Sequence, residues 1–275
     1  MSKIIITAAL TGSLPTKEQT VYVPISPEEI AQDAKACYQA GAAVVHLHAR
    51  DAQGNNTHDF AVFEEINRRI KTICPEVIVQ ISTGGRAGLG YESRSKGLAL
   101  NPESASLTTG SVNFPTSVYE NSPELVHRLA KDMHERRILP ELEIFDTSMI
   151  APALELYEQG LLKAPLYFNF VMGMKNIQPA NFGQLNLLLG MLPKDCNWNI
   201  SGVGKNQLWT TYMGIALGGN IRVGIEDNIY YAKGKLGSNV DFVARAVRIA
   251  KEFGRRPATP DEARDILGIN KIRGL

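Results

Sequence analysis

The sequence predicts an α/β fold, namely a single (β/α)8 barrel of the TIM-barrel type spanning residues 1–275 as one domain. Eight short apolar runs alternate with longer segments of helical periodicity. The 275 residues, 44% of them hydrophobic, can bury one barrel-sized core. An open, doubly wound sheet is the alternative, because alternation alone does not reveal whether a sheet closes. The count of eight favours the closed barrel.

Each apolar run is a candidate barrel strand. The runs are short, and longer segments that suit helices separate them, as expected for parallel strands joined by crossover helices. In chain order the runs are Ile4–Ala9, Ala43–His48, Val77–Ser82, Ser104–Thr108, Leu142–Phe145, Leu166–Val171, Asn197–Ser201 and Ile221–Ile225.

The segments between the runs carry helix start signals. In the first of them Ser26 can cap a helix, Pro27 suits the first helical position, and Glu29 can reach back to the cap. The same pairing of a hydroxyl residue with proline follows at Ser122 and at Thr259. The signal at Thr259 comes after the eighth unit and predicts a short extra helix at the C-terminus.

Composition and charge exclude several classes of protein. Lys and Arg total 29 against 28 for Asp and Glu, so no charge excess would draw the molecule to nucleic acid or to an anionic membrane. Cys37, Cys74 and Cys196 are odd in number and lack paired spacing, which argues against disulfides and a cysteine zinc site. With neither a signal peptide nor a membrane span in the sequence, a cytoplasmic protein is expected.

The second apolar run ends in His46-Leu47-His48. Side chains two positions apart on a strand point to the same side, so both imidazoles would face one spot at the barrel mouth. Active sites of such barrels lie at this end of the strands. The two histidines are therefore candidates to chelate a metal ion. The alternative is that each only forms hydrogen bonds with its neighbours.

The eighth run ends in a charged cluster formed by Arg222, Glu226 and Asp227. Two histidines and one glutamate with an open fourth position form a known type of catalytic zinc site. A cage of four histidines is hard to assemble, because the remaining histidines fall on predicted helices or their starts: His58, His127 and His134. For Glu226 and Asp227 an exposed turn is the alternative.

The third run leads into a glycine-rich loop, Ser82-Thr83-Gly84-Gly85-Arg86-Ala87-Gly88. Free backbone N–H groups of such a loop can bind an anion, although no Gly-Lys-Ser/Thr of a P-loop follows. A flexible turn is the alternative. In the fifth strand Glu141 and Glu143 would share one face, and a carboxylate pointing into a barrel needs a partner. Glu143 is expected either to orient a zinc-bound histidine or to form an ion pair at the other barrel end.

These motifs together resemble the β-keto acid cleavage enzyme family over nearly the full chain. The resemblance implies a zinc (β/α)8 barrel that converts a β-keto acid and acetyl-CoA into acetoacetate and a new acyl-CoA, and a homodimer or homotetramer. The matching segments are Ile6–Ala9 with Thr11-Gly12, Val45–His48, Gln80–Gly85, Pro140–Glu143, Ile221–Asn228 and Ala258–Pro260.

The resemblance also assigns roles to residues. His46, His48 and Glu226 match the zinc ligands of the family. Ser82, Arg222 and Asp227 match the family residues that bind the keto acid and transfer its proton. We expect Asp227 to accept the proton from the α-carbon, with Ser82 as a relay, while Arg222 offsets the substrate carboxylate. The neighbouring residues expected to bind substrate are Thr83, Gly84, Gly85 and Ser106, the last of which replaces a threonine of some relatives with another hydroxyl.

Leu14 departs from the family pattern. Family members that cleave an aminohexanoate carry Glu in this loop, where the carboxylate suits an ammonium group. Beside Leu14 such an ammonium would lose a charge-assisted hydrogen bond worth about 1.5–3 kcal/mol. We therefore expect Leu14 to line the substrate pocket and the substrate to be an uncharged, aliphatic β-keto acid.

Other functions remain compatible with these residues. A His₂Glu zinc barrel can also serve a hydrolase or a metal-dependent aldolase, which would not depend on acetyl-CoA. A non-catalytic metabolite-binding barrel is the alternative from a different class of protein. The pair of Glu226 and Asp227 argues against it, because a binding protein does not need a group that handles protons.

Overall fold

The structure is a computed structural model that describes residues 1–274. Eight parallel strands form a closed barrel in which neighbours along the chain pair and the eighth strand pairs with the first. This closure confirms the TIM barrel and excludes the doubly wound sheet. The strands β1 to β8 are Ile6–Ala9, Val44–Leu47, Ile78–Ile81, Ser104–Thr108, Leu139–Ile144, Tyr167–Met172, Asn197–Gly202 and Asn220–Val223.

All eight predicted runs overlap a barrel strand, but the limits of two differ clearly. The first run was expected to begin at Ile4, whereas β1 begins at Ile6 and Ser2–Ile4 pairs in parallel with Arg255–Pro257. The Ile5 N–H, between the two strands, donates to Asn220 Oδ1 at 2.8 Å. β5 begins at Leu139, three residues before the predicted run, and so includes a proline and a carboxylate that obscure its pattern.

The predicted helix caps are present. Ser26 Oγ accepts from the Glu29 N–H at 3.2 Å, and the Glu29 carboxylate accepts from the Ser26 N–H at 3.0 Å. No helix in the part of the chain that the structure describes could span a bilayer as an apolar segment. The helices α1 to α10 are Pro27–Ala40, Phe60–Ile73, Tyr91–Arg94, Pro123–Glu135, Ile150–Glu158, Phe182–Met191, Gln207–Ala216, Asn239–Glu252, Pro260–Leu267 and Ile269–Arg273.

The C-terminal helices close the bottom of the barrel, at the amino ends of its strands. The predicted terminal helix begins after Thr259 as α9, and α10 follows it. Their apolar side chains share a buried cluster with the lowest inward-facing residues of several strands. This cluster contains Ile5, Ala43, Val44, Ile78, Leu139, Tyr167, Ala258, Ala263, Leu267, Ile269 and Ile272. With the bottom sealed, the open end of the barrel is the mouth.

Short antiparallel hairpins enlarge the mouth. One pairs Ala49–Arg50 with Asn56–Thr57 after β2, and another pairs Tyr230–Ala232 with Lys235–Leu236 after β8. Arg50 fixes the first of them to the loop after β1, because Nε donates to Gly12 O at 3.0 Å and Nη2 donates to Pro15 O at 3.1 Å. Residues at the strand ends are thus held by structured loops.

Candidate active site

His46, His48 and Glu226 meet at the mouth of the barrel. Nε2 of His46 lies 3.6 Å and Nε2 of His48 lies 3.4 Å from Glu226 Oε1. Bonds of about 2.1 Å in a tetrahedral zinc site place two ligands roughly 3.4 Å apart. Within residues 1–274, these three side chains form a group of possible metal ligands, with their ligand atoms all within 4.8 Å of one another.

Two buried atoms of this group lack a hydrogen-bond partner among the described residues. They are Nε2 of His46 and Oε2 of Glu226. Leaving a buried polar atom unpaired costs about 1–3 kcal/mol, so a native site of this kind is expected to hold a ligand. Burial lowers the pKa of His46 to about 3, which leaves the imidazole neutral as a metal ligand requires. The three residues fit a metal ion.

Arg222 lies at the centre of the charges around this group. Its side chain is 4% exposed, and its guanidinium contacts both oxygens of Asp227, at 3.0 Å from Nε and 3.1 Å from Nη2. The same group donates to Glu226 and lies 3.5 Å from Glu143 Oε1. One cation thus faces three carboxylates, which gives a formal charge of −2. A divalent cation would neutralise this charge.

The two carboxylates after β8 differ in their proton affinity. Burial alone would raise the pKa of Glu226, but the positive Arg222 holds it well below the usual range. Burial raises the pKa of Asp227 despite Arg222, and the nearby negative charge of Glu226 adds to this. Glu226 is therefore suited to remain an anionic ligand, and Asp227 is better suited to take up a proton.

The glycine-rich loop borders the same mouth. Ser82 Oγ accepts from the Gly84 N–H at 3.1 Å, which leaves the Ser82 hydroxyl hydrogen available for another partner. A Cβ on Gly84 would lie only 3.0 Å from Tyr119 Oη, and one on Gly85 would lie 2.8 Å from Arg94 Cδ. The glycines are needed because these side chains pack closely against the loop.

The loop is less open to an anion than its sequence indicates. Three of its N–H groups already donate within the protein: Gly84 to Ser82 Oγ, Ala87 to Val118 O and Gly88 to Glu120 Oε2. Thr83 is buried and is fixed to the next strand, with its N–H donating to Ser106 Oγ at 3.2 Å and its hydroxyl to Ser106 O at 2.7 Å. Ser106 thus supports the loop from below.

Leu14 lies on the loop between β1 and α1 and is 64% exposed. Gly12, two residues earlier, lies against Glu226, since a Cβ there would be 2.6 Å from Glu226 Cγ. The loop therefore passes directly beside the ligand group. Leu14 itself points an apolar side chain into solvent at the mouth.

Glu143 makes no hydrogen bond with His46 or His48 among the described residues. It accepts from Thr108 Oγ1 at 2.7 Å and faces Arg222 within the described residues. The contact with His46 is made instead by Gln80, whose Oε1 lies 2.6 Å from His46 Nδ1. The expected ion pair of Glu143 is present, but it lies at the mouth and not at the far end of the barrel.

A buried polar network beneath the mouth was not anticipated from the sequence. Glu141 is fully buried and is surrounded by side-chain amides of Gln80, Asn169 and Asn199. Burial raises the pKa of Glu141 to about 7, although Arg222 and the amide donors oppose this. Part of the signal was available, because side chains two residues apart on a strand share a face, and Glu141 therefore lies on the same face as Glu143.

Comparison with known proteins identifies the family. A sequence profile described as beta-keto acid cleavage enzyme matches residues 3–269. The 3-keto-5-aminohexanoate cleavage enzyme of Acetoanaerobium sticklandii is 43% identical over 98% of this chain and 100% of its own length. The 3-oxoadipate:acetyl-CoA acetyltransferase of Cupriavidus necator is 40% identical over 96% of this chain and 94% of its own.

A solved structure shares the fold. The ternary complex of ObcA with a C4-CoA adduct and oxalate superposes with a TM-score of 0.77, at 22% identity, over 90% of this chain and 67% of that one. The structural likeness supports the barrel, while the profile and the two relatives support kinship over almost the whole sequence. The chain belongs to the beta-keto acid cleavage enzyme family.

Proposed function

We propose that this enzyme converts a β-keto acid and acetyl-CoA into acetoacetate and a new acyl-CoA, with one zinc ion per chain held by His46, His48 and Glu226. Membership of the family supports the cleavage of a β-keto acid, and the name of the Cupriavidus necator relative supports acetyl-CoA as the second substrate. The observation that carries the proposal is the ligand group lying directly beside the ion pair of Arg222 and Asp227.

Zinc suits this ligand group because two imidazoles, one carboxylate and an open position form a known catalytic zinc site. When bound, zinc would act as a Lewis acid that polarises the keto group of the substrate. The formal charge of −2 around Arg222 supports a divalent ion at this place.

The residues around the ligand group would handle the proton and the substrate carboxylate. Asp227 would accept the proton of the α-carbon, and its raised pKa suits a general base. Ser82 would relay that proton or donate to the substrate, because its hydroxyl hydrogen is not used by Gly84. Arg222 would offset the substrate carboxylate at the cost of weakening one of its present contacts.

The bonds of the reaction balance without a further reactant. The deprotonated α-carbon attacks the thioester carbonyl of acetyl-CoA, and CoA leaves as a thiolate. The thiolate then attacks the original keto carbon, and the bond between that carbon and the α-carbon breaks. The α-carbon, now part of acetoacetate, regains its proton from Asp227, while the remaining acyl group leaves as acyl-CoA.

An uncharged, aliphatic β-keto acid is the proposed substrate. The two relatives are named for substrates that differ in charge, an aminohexanoate and an oxoadipate. In this chain the loop that passes beside Glu226 presents Leu14, whose side chain can neither pair with an ammonium nor donate to a second carboxylate.

The deciding experiment is a panel of β-keto acids assayed with and without acetyl-CoA, with the formation of acetoacetate and the consumption of the keto acid as the two readouts. Acetoacetate should form only when acetyl-CoA is present, and most rapidly from neutral substrates such as 3-oxopentanoate or 3-oxohexanoate. Turnover without acetyl-CoA would favour a hydrolase or an aldolase, and no turnover of any member would favour a binding protein.

Elemental analysis tests the metal separately. The purified protein should contain about one zinc per chain. A double variant, His46→Ala with His48→Ala, should lose it. A metal-free protein with full activity would contradict the zinc mechanism, and a double variant that retains zinc would contradict the ligand assignment.

A further inference from the structure

We propose that Gln80 and Glu141 are positioning residues that fix the His46 ring, with the proton on Nδ1 and the lone pair of Nε2 facing Glu226. The inference rests on the proposed metal site and names the residues that prepare one of its ligands. Gln80 contacts His46 directly, and Glu141 acts through Gln80.

The orientation of the Gln80 amide is determined by its neighbours. Its Nε2 lies 2.8 Å from Glu141 Oε2 and 3.2 Å from Ser104 Oγ. Ser104 uses its own hydrogen to donate to Leu139 O at 2.9 Å, so towards Gln80 it can only accept. Two acceptors therefore hold the NH₂ end of the amide, and the carbonyl end must point the other way.

The carbonyl end of Gln80 determines the tautomer of His46. Gln80 Oε1 can only accept, and it lies 2.6 Å from His46 Nδ1, so Nδ1 must carry the proton. In the neutral ring this leaves a lone pair on Nε2, the atom that faces Glu226 and lacks a hydrogen-bond partner among the described residues. The reverse tautomer would leave Nε2 as a donor and unable to bind a metal.

Glu141 is held in place by amide donors on both of its oxygens. Asn169 Nδ2 donates to Oε1 at 2.9 Å, and Asn199 Nδ2 lies 3.3 Å from Oε2, the oxygen that also accepts from Gln80. All three neighbours present N–H groups to it. A glutamine at position 141 would place its own NH₂ group against these N–H donors. The Gln80 amide would then be more stable turned over, with its carbonyl towards position 141 and its NH₂ group towards His46.

Two variants test this arrangement by zinc affinity and by the tautomer of His46. Gln80→Leu removes the oxygen that accepts from His46 Nδ1. Glu141→Gln keeps the shape of the side chain but no longer presents only acceptors to the Gln80 NH₂ group. Both should raise the dissociation constant for zinc, measured by competition with a chelator, by about 10- to 100-fold. In metal-free protein labelled with ¹⁵N-histidine, at pH 8, the His46 signal should lose the signature of a protonated Nδ1. A His46→Ala variant assigns the signal among the five histidines.

Gln178→Leu is the matched control. Gln178 is 3% exposed and donates to the carbonyls of Ile144 and Val171, so its loss removes buried hydrogen bonds without touching His46. Its zinc affinity should stay within about two-fold of the parent. If Gln80→Leu does not fold, the isosteric Glu141→Gln decides.

The outcomes separate the inference from the metal assignment. Unchanged zinc affinity and an unchanged tautomer in both variants would overturn the positioning role. An effect in Gln80→Leu alone would overturn the part assigned to Glu141. A parent protein that binds no zinc would overturn the metal site itself, and the tautomer of the metal-free protein would still report whether Gln80 fixes the ring.

Discussion

Arg222 is the residue on which the charges of the mouth depend. Its guanidinium reaches Glu143, Glu226 and Asp227, so any change to one of these carboxylates alters the partners left for the others. The bidentate contact with Asp227 fixes that carboxylate beside the ligand group. The position of Asp227 therefore depends on Arg222, while its chemistry depends on the carboxylate itself.

Asp227→Asn separates these two contributions. The amide keeps the shape of the side chain and one acceptor for Arg222 but cannot take up the α-proton. We expect kcat to fall by about 10²- to 10⁴-fold, as is common when a general base is lost. Zinc content and the circular dichroism spectrum should match the parent. Turnover within a few-fold of the parent would mean that Asp227 only positions other groups and that another residue is the base.

Leu14→Glu tests the choice of substrate charge. The apolar side chain should favour each buried methylene of an aliphatic tail by about 0.8 kcal/mol and disfavour an unpaired ammonium. In the variant, kcat/KM for 3-oxohexanoate should fall and that for 3-keto-5-aminohexanoate should rise. A parent that already prefers the amino substrate would show that Leu14 does not set this preference.

At the level of single residues the sequence predicted the ligand group better than its surroundings. His46 lies on β2 and His48 directly follows the last residue of that strand, so the alternation of an extended chain places the two imidazoles together. Glu226 could be added because parallel strands of a barrel end at a common mouth. The contact of Gln80 with His46 could not be predicted, because it depends on the register between two neighbouring strands, which the sequence pattern of one strand does not contain.

At the level of elements, α8 fixes the loop that carries Glu226. Asn239, its first residue, accepts from the Ile225 N–H at 2.7 Å and donates to Leu10 O at 2.9 Å and to Asp33 Oδ2 at 2.6 Å. One side chain thus joins α8 to the chain that leaves β8, to the end of β1 and to α1. The capping signal at Ser26 predicted α1, but this contact depends on how α1 and α8 pack.

Asp33 makes this junction sensitive to pH. Burial raises the pKa of Asp33 to about 6, although its hydrogen bond with Asn239 opposes the rise. Because the folded pKa exceeds the unfolded value of about 3.9, stability from this group is present at low pH and is lost as the pH rises from about 4 to 6. In Asp33→Asn that loss should be absent, so the variant should be more stable than the parent by about 3 kcal/mol at pH 7 and nearly equal to it near pH 4.

Urea unfolding of parent and variant across this range provides the measurement. The control is Asp261→Asn, at a position where the side chain is 91% exposed. The stability of this variant relative to the parent should not rise comparably between pH 4 and 7. A constant difference between parent and Asp33→Asn at every pH would mean that Asp33 does not titrate in this range.

At the level of the whole molecule, the sealed bottom and the polar interior were the parts of the fold that the sequence pattern missed. The eight strands and the helix caps follow from local patterns. The closed barrel confirms the strands, and the hydrogen bonds of Ser26, Ser122 and Thr259 confirm the caps. The packing of α9 and α10 beneath the barrel depends on contacts between the two ends of the chain. Such contacts leave no periodic signal in either segment.

The outer surface has an apolar region on α6 and α7 that suits contact with a second copy of the chain, and we propose a homodimer or homotetramer formed through it. On α6, Phe182, Leu187 and Met191 are 45%, 54% and 40% exposed, and on α7 Trp209 is 45% exposed. The rings of Phe182 and Trp209 lie 5.4 Å apart, so exposed aromatic side chains of the two helices contact each other, and Leu187 and Met191 add a second exposed apolar row on α6. Contiguous exposed apolar surface is typical of protein interfaces.

Replacing Leu187 and Met191 together by lysine tests this surface. They lie four residues apart on one face of α6, and two buried ammonium groups would face an apolar partner without counter-charges. We expect light scattering after gel filtration to give a dimer or tetramer for the parent and a smaller species for the variant. Zinc content should be unchanged, because the barrel mouth does not include these residues. Val21→Lys, at a position 71% exposed on the loop after β1, is the control and should keep the parent mass. A monomeric parent would contradict the assembly, and a variant with the parent mass would place the interface elsewhere on the molecule.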